Sequence, residues 1–166
     1  QRLHLELAQN LHKSGVRRNE QVEITGGVQL DSLIVDGNRI ELNRAQNRNG
    51  MTINGQLING YLTEGTLLTV APQKTLAPGD SVKIDIGWRF KIPRQGAGSR
   101  MGYSRNNLFY IAYWYPQMRV YDDVYGWMTD PFTGNGEFYQ DFAHYDIDIT
   151  APEQWLVGAT GRLTNS

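Results

Sequence analysis

Cysteine is absent from the 166 residues, which excludes a disulfide framework, an iron–sulfur site and a thiol nucleophile. Neither charge sign dominates. The 16 Lys+Arg stand against 17 Asp+Glu, a formal net charge of -1 with a sequence pI near 6.3. There is thus no basic footprint for a nucleic-acid backbone or an anionic membrane. Mean hydropathy is -0.49, and no apolar run approaches the roughly 20 residues a membrane helix needs. Histidine is scarce: His4, His12 and His144 are far apart, and no His-Glu-x-x-His stands in the chain. A zinc site is therefore not expected within these residues, and without a Gly-x-Ser-x-Gly neither is a serine nucleophile on a strand-to-helix elbow. His4 and His12 are expected at the surface on or beside an N-terminal strand, and His144, adjacent to Tyr145, on a solvent face. Helical periodicity is also rare.

Short alternating runs broken by Gly, Asn and Pro fill the chain instead. Leucines alternate with polar residues in Arg2-Leu3-His4-Leu5-Glu6-Leu7, the period of a half-buried strand. Val28, Leu30, Leu33 and Val35 lead into Asp36-Gly37-Asn38, a tight hairpin turn, and on to Ile40 and Leu42. Residues 43–50 are polar and read as a solvated loop. Two or three further strands are expected over 51–70, punctuated by the turn dipeptides Asn54-Gly55 and Asn59-Gly60. The clearest strand is Ser81–Lys91, with Val82, Ile84, Ile86, Trp88 and Phe90 on one face and Lys83, Asp85, Arg89 and Lys91 on the other. Ala77-Pro78-Gly79-Asp80 is the turn that feeds it. Gly96-Ala97-Gly98 lacks the helix and the Lys-Ser/Thr of a phosphate loop and reads as a plain loop.

The expected fold is all-β and helix-poor: a large, twisted, mostly antiparallel sheet or β-sandwich forming a single domain over residues 1–166. This length suffices for a real core, since about 150 residues bury roughly 70% of their unfolded surface. Both ends fall in strand patterning, Arg2–Leu7 at one and Trp155–Ser166 at the other. The chain is therefore expected to be a portion of a longer polypeptide.

Composition shifts after residue 101. Of the 5 Phe, 4 Trp and 9 Tyr, thirteen lie between Tyr103 and Phe142. Large, stiff, amphipathic rings fill cores and equally make ligand platforms. Packing is the expectation for most of them. Beyond the cluster, Tyr145, Ile147 and Ile149 alternate with Asp146, Asp148 and Thr150 in what reads as another half-buried strand. The carboxylates divide into two kinds. Asp122-Asp123 is expected to cap a turn by accepting backbone N–H groups, whereas Glu137, between glycines and aromatics, has the surroundings of an acid held partly out of water beside a cleft.

The segments Trp114-Tyr115-Pro116-Gln117-Met118-Arg119-Val120-Tyr121-Asp122-Asp123, Gly126-Trp127, Gly136-Glu137-Phe138-Tyr139-Gln140-Asp141-Phe142, Tyr145-Asp146-Ile147-Asp148-Ile149-Thr150-Ala151-Pro152 and Val157-Gly158-Ala159-Thr160-Gly161 follow one another in this order. In order and spacing this series resembles the N-terminal domain of aminopeptidase N-like zinc metallopeptidases, of the bacterial branch. The resemblance spans about residues 60–165 and implies a saddle-like β-domain that packs on a thermolysin-like catalytic domain of the same polypeptide. The parent would remove N-terminal residues from peptides with a zinc ion held in that catalytic domain, in the periplasm or outside the cell. The domain itself would hold no catalytic residue and no cofactor, and would wall the substrate cleft. Many members lend an acid from this domain to the substrate amine, where this sequence has Tyr115-Pro116-Gln117. Gln117 as a neutral acceptor, Glu137 from the next loop, and Tyr115 beside them are the candidate substrate-binding residues at the cleft edge. A second reading of the same aromatics is a free-standing carbohydrate-binding β-sandwich using Trp114 and Trp127 as a platform, which requires coplanar, solvent-facing rings.

Overall fold

Leu3 and Leu5 point one way from the first strand and His4 and Glu6 the other, so burying the leucines commits the strand to a sheet with one apolar face. A computed structural model of the protein describes residues 2–41, 48–53, 56–94, 100–104, 107–135 and 139–164. In it β1 (Leu3–Glu6) lies between β6 (Leu67–Ala71) and β10 (Gln117–Met118), antiparallel to both, with Leu5 opposite Leu68 on one side and Met118 on the other. Beyond β6 the sheet continues through β5 (Gln56–Glu64) to β4 (Arg48–Ile53), again antiparallel.

A second sheet has β2 (Gln29–Val35) at its centre, flanked by β3 (Asn38–Ile40) and β7 (Ile84–Arg89). The core joins the two: Leu5, Leu7, Tyr61, Leu68 and Val70 from the first meet Leu33 and Val35 from the second, with Val28, Ile40, Val82, Ile84 and Ile86 packed around them. Two ribbons complete the described strands, β8 (Met101–Tyr103) with β9 (Phe109–Ile111) and β11 (Tyr121–Asp122) with β12 (Gly126–Trp127). The fold is all-β, its sheets antiparallel, and no α-helix occurs among the described residues.

Several turns follow their sequence chemistry. Val35 pairs with Asn38, which leaves Asp36 (φ 48) and Gly37 (φ 79) as a two-residue turn with both residues left-handed, the conformation that Asp-Gly tolerates best. The Asp36 carboxylate accepts the Lys83 N–H at 2.9 Å and so ties this turn to the residue before β7. At Ala77–Asp80 the Asp80 N–H donates to the Ala77 carbonyl at 3.0 Å, while the Asp80 carboxylate accepts the Ala77 N–H. β7 shows the expected alternation, although its ladder covers only the middle of Ser81–Lys91.

Other expectations give way to tertiary context. Asn59-Gly60 does not turn the chain; it sits inside β5, next to the point between Asn59 and Leu57 where the pairing with β4 slips by one residue, and Gly60 (φ 84) is paired with Gly50 and Ala71. Arg48–Gly50, expected in a polar loop, belong to β4, while residues 43–47 and the Asn54-Gly55 and Gly96–Gly98 positions lie outside the described residues. Tyr145–Thr150 is exposed throughout and pairs with no strand among the described residues, and Trp155–Val157 is likewise not a strand. An alternating pattern makes a strand only where a neighbour supplies the ladder.

After β1 the chain makes a short 3-10 turn, Ala8–His12, all of it buried. Its polar side chains serve distant backbone groups. Asn10 donates to the Gly65 carbonyl at 2.9 Å and accepts the Val28 N–H at 2.9 Å. Gln9 donates to the Tyr113 carbonyl at 3.1 Å. His12 is 2% exposed, not a surface residue; its Nδ1 faces the Glu23 carbonyl at 2.8 Å, and its own carbonyl accepts the N–H groups of Thr25 and Gly26. His4 is half-buried rather than exposed, with Nδ1 3.1 Å from the Thr69 hydroxyl. Gly27 (φ +67) passes so close to this turn that a Cβ there would stand 2.8 Å from Asn10 Oδ1 and 3.1 Å from the Asn10 Cα. Gly27→Ala should therefore lower stability by about 2–4 kcal/mol in urea unfolding, backbone strain plus clash. Gly15→Ala (φ +78, nothing within 4 Å) should lose only about 1 kcal/mol.

Candidate functional site

The aromatic segment begins at the end of β8 and continues through β9 and β10. Among its described rings none is fully buried: Tyr113, Trp114, Tyr115, Trp127 and Phe132 are half-buried, and the rest are exposed. The expectation that most would fill the core is thus corrected. The core is filled instead by Leu5, Leu7, Leu33, Val35, Leu68 and Val70 with one ring from outside the aromatic segment, Tyr61 of β5.

The rings meet mostly edge to face. Trp114 and Tyr115 lie 5.1 Å apart at 65°, Tyr115 and Tyr145 5.9 Å apart at 72°, Tyr121 and Trp127 5.5 Å apart at 73°, and Phe109 and Trp155 5.0 Å apart at 64°. One pair stacks, Trp88 of β7 on Trp114 at 6.0 Å and 26°, and there the Trp88 indole N–H donates to the Trp114 carbonyl at 3.0 Å. Tyr113 is held at φ 53, a strained conformation for an aromatic residue. Its carbonyl is held by Gln9, and its hydroxyl accepts a 2.7 Å hydrogen bond from Arg100.

Two of the three candidate substrate-binding residues are brought together. Tyr115 and Gln117 flank Pro116, half-buried, and both are tied to one downstream segment. The Gln117 side-chain oxygen accepts from the Gln140 amide, and the Tyr115 ring packs on Tyr145. The hydrogen bond with Tyr115 favours the neutral phenol of Tyr145 and pushes its pKa up. The acceptor of Gln117 is therefore engaged by Gln140, and a substrate amine would have to displace that amide. Glu137 lies outside the described residues. Asp122 behaves as the turn cap expected of it, its Oδ1 accepting the N–H groups of Val124 at 2.9 Å and Tyr125 at 2.6 Å.

One ionisable site was not legible in the sequence. Glu6, on the face of β1 that alternation assigns to solvent, is 2% exposed. It forms an ion pair with Arg119, itself only 14% exposed. That guanidinium also donates to the Asp130 carbonyl at 2.5 Å, so one side chain holds residues 119–130 against the back of the first sheet. Alongside it, the Thr66 hydroxyl accepts the Phe132 N–H at 2.9 Å, Asn19 donates from backbone and side chain to Thr133, and the His4 ring meets Trp127 edge-on at 5.4 Å. Burial raises the Glu6 pKa to about 7, outweighing the opposing pull of Arg119. The same burial lowers the pKa of His4, two residues away on that face, with the charge of Arg2 adding to the effect. Among the described residues no group of three or more His, Cys, Asp or Glu could hold a metal ion, and no helix is long and apolar enough to cross a membrane.

Comparison of the chain with family models, with curated proteins and with solved structures finds no match in any of the three.

Because the folded chain holds the Glu6 proton up to about pH 7 while the unfolded chain releases it near 4.5, this group favours the folded state at low pH. That advantage is lost as the pH rises from about 4.5 through 7, by on the order of 3 kcal/mol. Urea midpoints measured from pH 4.5 to 8 should show this fall, and Glu6→Gln should remove it. His4 contributes a slope of opposite sign, present in both proteins, which cancels in the difference between them.

Proposed function

We propose that the chain is the non-catalytic N-terminal β-domain of an aminopeptidase N-like zinc metallopeptidase. In that role it packs on a catalytic domain of the same polypeptide and forms one wall of the cleft that admits a peptide's amino terminus. The resemblance of the ordered segments supplies the family. The observation that carries the reading is where the apolar surface lies: Phe109, Tyr110, Ile111, Tyr139, Phe142, Tyr145, Ile147 and Ile149, within or beside those segments, are all exposed. Soluble domains seldom leave so much apolar surface uncovered unless it contacts a partner. Ring contacts such as Phe109 with Trp155 and Tyr115 with Tyr145 hold these stretches against one another, as a packing face requires.

A carbohydrate platform fits the rings less well. Trp114 and Trp127 are half-buried, and each is engaged by neighbours, Trp114 by Trp88 and Tyr115, Trp127 by His4 and Tyr121. On the peptidase reading the zinc belongs to the catalytic domain, the parent is periplasmic or extracellular, and Tyr115, Gln117 and Glu137 stand at the cleft edge.

The test is the longer polypeptide that contains this sequence. It should release the N-terminal residue from an aminoacyl-anilide, lose that activity to a chelator and regain it with zinc, whereas the 166-residue chain alone should release none with or without zinc. A longer chain without metal-dependent release would overturn the reading. In the active parent, Glu137→Gln should lower kcat/KM for substrates with a free amino terminus by roughly tenfold or more, the worth of a charge-assisted hydrogen bond. Unchanged kinetics would remove Glu137 from the site.

A further inference from the structure

Residues 143–150 have the side-chain order of a strand and the backbone of none. Tyr145, Ile147 and Ile149 alternate with Asp146 and Asp148, and the three apolar residues are 60%, 49% and 54% exposed. Among the described residues no backbone group from Asp146 to Thr150 has a hydrogen-bond partner. Exposed, unpaired backbone with period-two side chains is what a sheet edge recruits. The segment is also held in place, by Gln140 on Gln117 before it, by Tyr145 on Tyr115 within it and by Trp155 on Phe109 after it. Fixing the flanks lowers the ordering cost of pairing a strand.

Charge selects the partner. Residues 120–157 contain eight Asp or Glu and no Lys or Arg, so the 119 residues before them carry fifteen Lys or Arg against nine Asp or Glu. We infer that residues 143–150 are a docking strand, and that their occupant is the edge strand of a protein sheet whose side chains alternate apolar with Lys or Arg. Opposite Asp146 and Asp148, cations on one face gain cross-strand attraction while the apolar residues pair on the other face. An anionic membrane surface would be repelled by the same acids. A second copy offers no free basic edge on its second sheet, where the cations on or beside β2, β3 and β7 face their own acids, Arg89 with Asp31, Lys83 with Asp85 and Arg39 with Glu41. The docking chemistry does not depend on the peptidase reading, and a longer chain without zinc-dependent activity would leave it intact.

Three eight-residue probe peptides test this on the 166-residue chain: alternating Lys-Val, alternating Glu-Val and alternating Lys-Ser. Labelled Lys-Val peptide should bind in fluorescence anisotropy, and hydrogen exchange of amides 145–150 should slow at least tenfold in its presence. The Glu-Val and Lys-Ser peptides should bind at least tenfold more weakly. Asp146→Asn with Asp148→Asn should weaken Lys-Val binding and flatten its salt dependence. Ile147→Pro should abolish the exchange protection, with the Tm unchanged because that backbone carries no ladder. Equal binding of Lys-Ser would reduce the site to bulk charge and overturn the inference. So would Lys-Val binding without protection of 145–150, no Lys-Val binding at all, or protection in the free chain that grows with its own concentration in step with dimers in sedimentation.

Discussion

Everything in this fold leans on residues Leu3–His12. β1 sits between β6 and β10 and holds together segments more than sixty and more than one hundred residues away, because its backbone supplies the ladder to both. Its leucines enter the core between the two sheets. The 3-10 turn that follows is too short to stabilise itself by local hydrogen bonding. Its buried Gln9, Asn10 and His12 instead satisfy backbone groups at 113, 28 and 65, and 23. Buried backbone groups must find partners, and here much of that requirement for three separate loops is met by a single turn. Gly27 is confined to glycine by the same crowding.

The opposite face of β1 shows how a fold tolerates an unfavourable element. A carboxylate taken out of water is costly even beside a guanidinium, and burial is the largest influence on Glu6. What the pair does is mechanical. Arg119 follows β10 directly, so its contact with Glu6 and with the Asp130 carbonyl fixes both ends of the run that covers the sheet. The cover is otherwise held by the Thr66 and Asn19 hydrogen bonds and by the Trp127 edge contact. Without it, His4, Glu6 and Thr69 would form an ordinary wetted sheet face.

The described rings of the aromatic segment do not form the core of this chain. They leave edges and faces outward, and contacts with Tyr145 and Trp155 draw the 139–155 stretch onto β9 and β10. A surface built this way is most economically explained as one that another protein surface completes, which is why the interdomain reading of these residues and the docking strand at 143–150 both arise from it.

Period-two alternation, the Asp36-Gly37 dipeptide and the Ala77–Asp80 turn were enough to read the all-β class, the β2–β3 hairpin, the frame of β7 and the inward leucines of β1, because each depends on contacts within a few residues. The capping role of Asp122 was legible for the same reason. The sequence could not show that Asn59-Gly60 would lie beside a bulge and not form a turn, since that depends on the register with β4. Nor could it show that His12 and Glu6 would be buried, since their covers come from residues 23–28 and 119–133. The alternation at 145–150 is as regular as that of β7, yet among the described residues only β7 has a neighbour, β2, to complete its hydrogen bonds. Local pattern determines which face of a strand would be apolar; whether the strand exists, and what lies over its other face, is decided by segments distant in the chain that only the tertiary structure brings alongside.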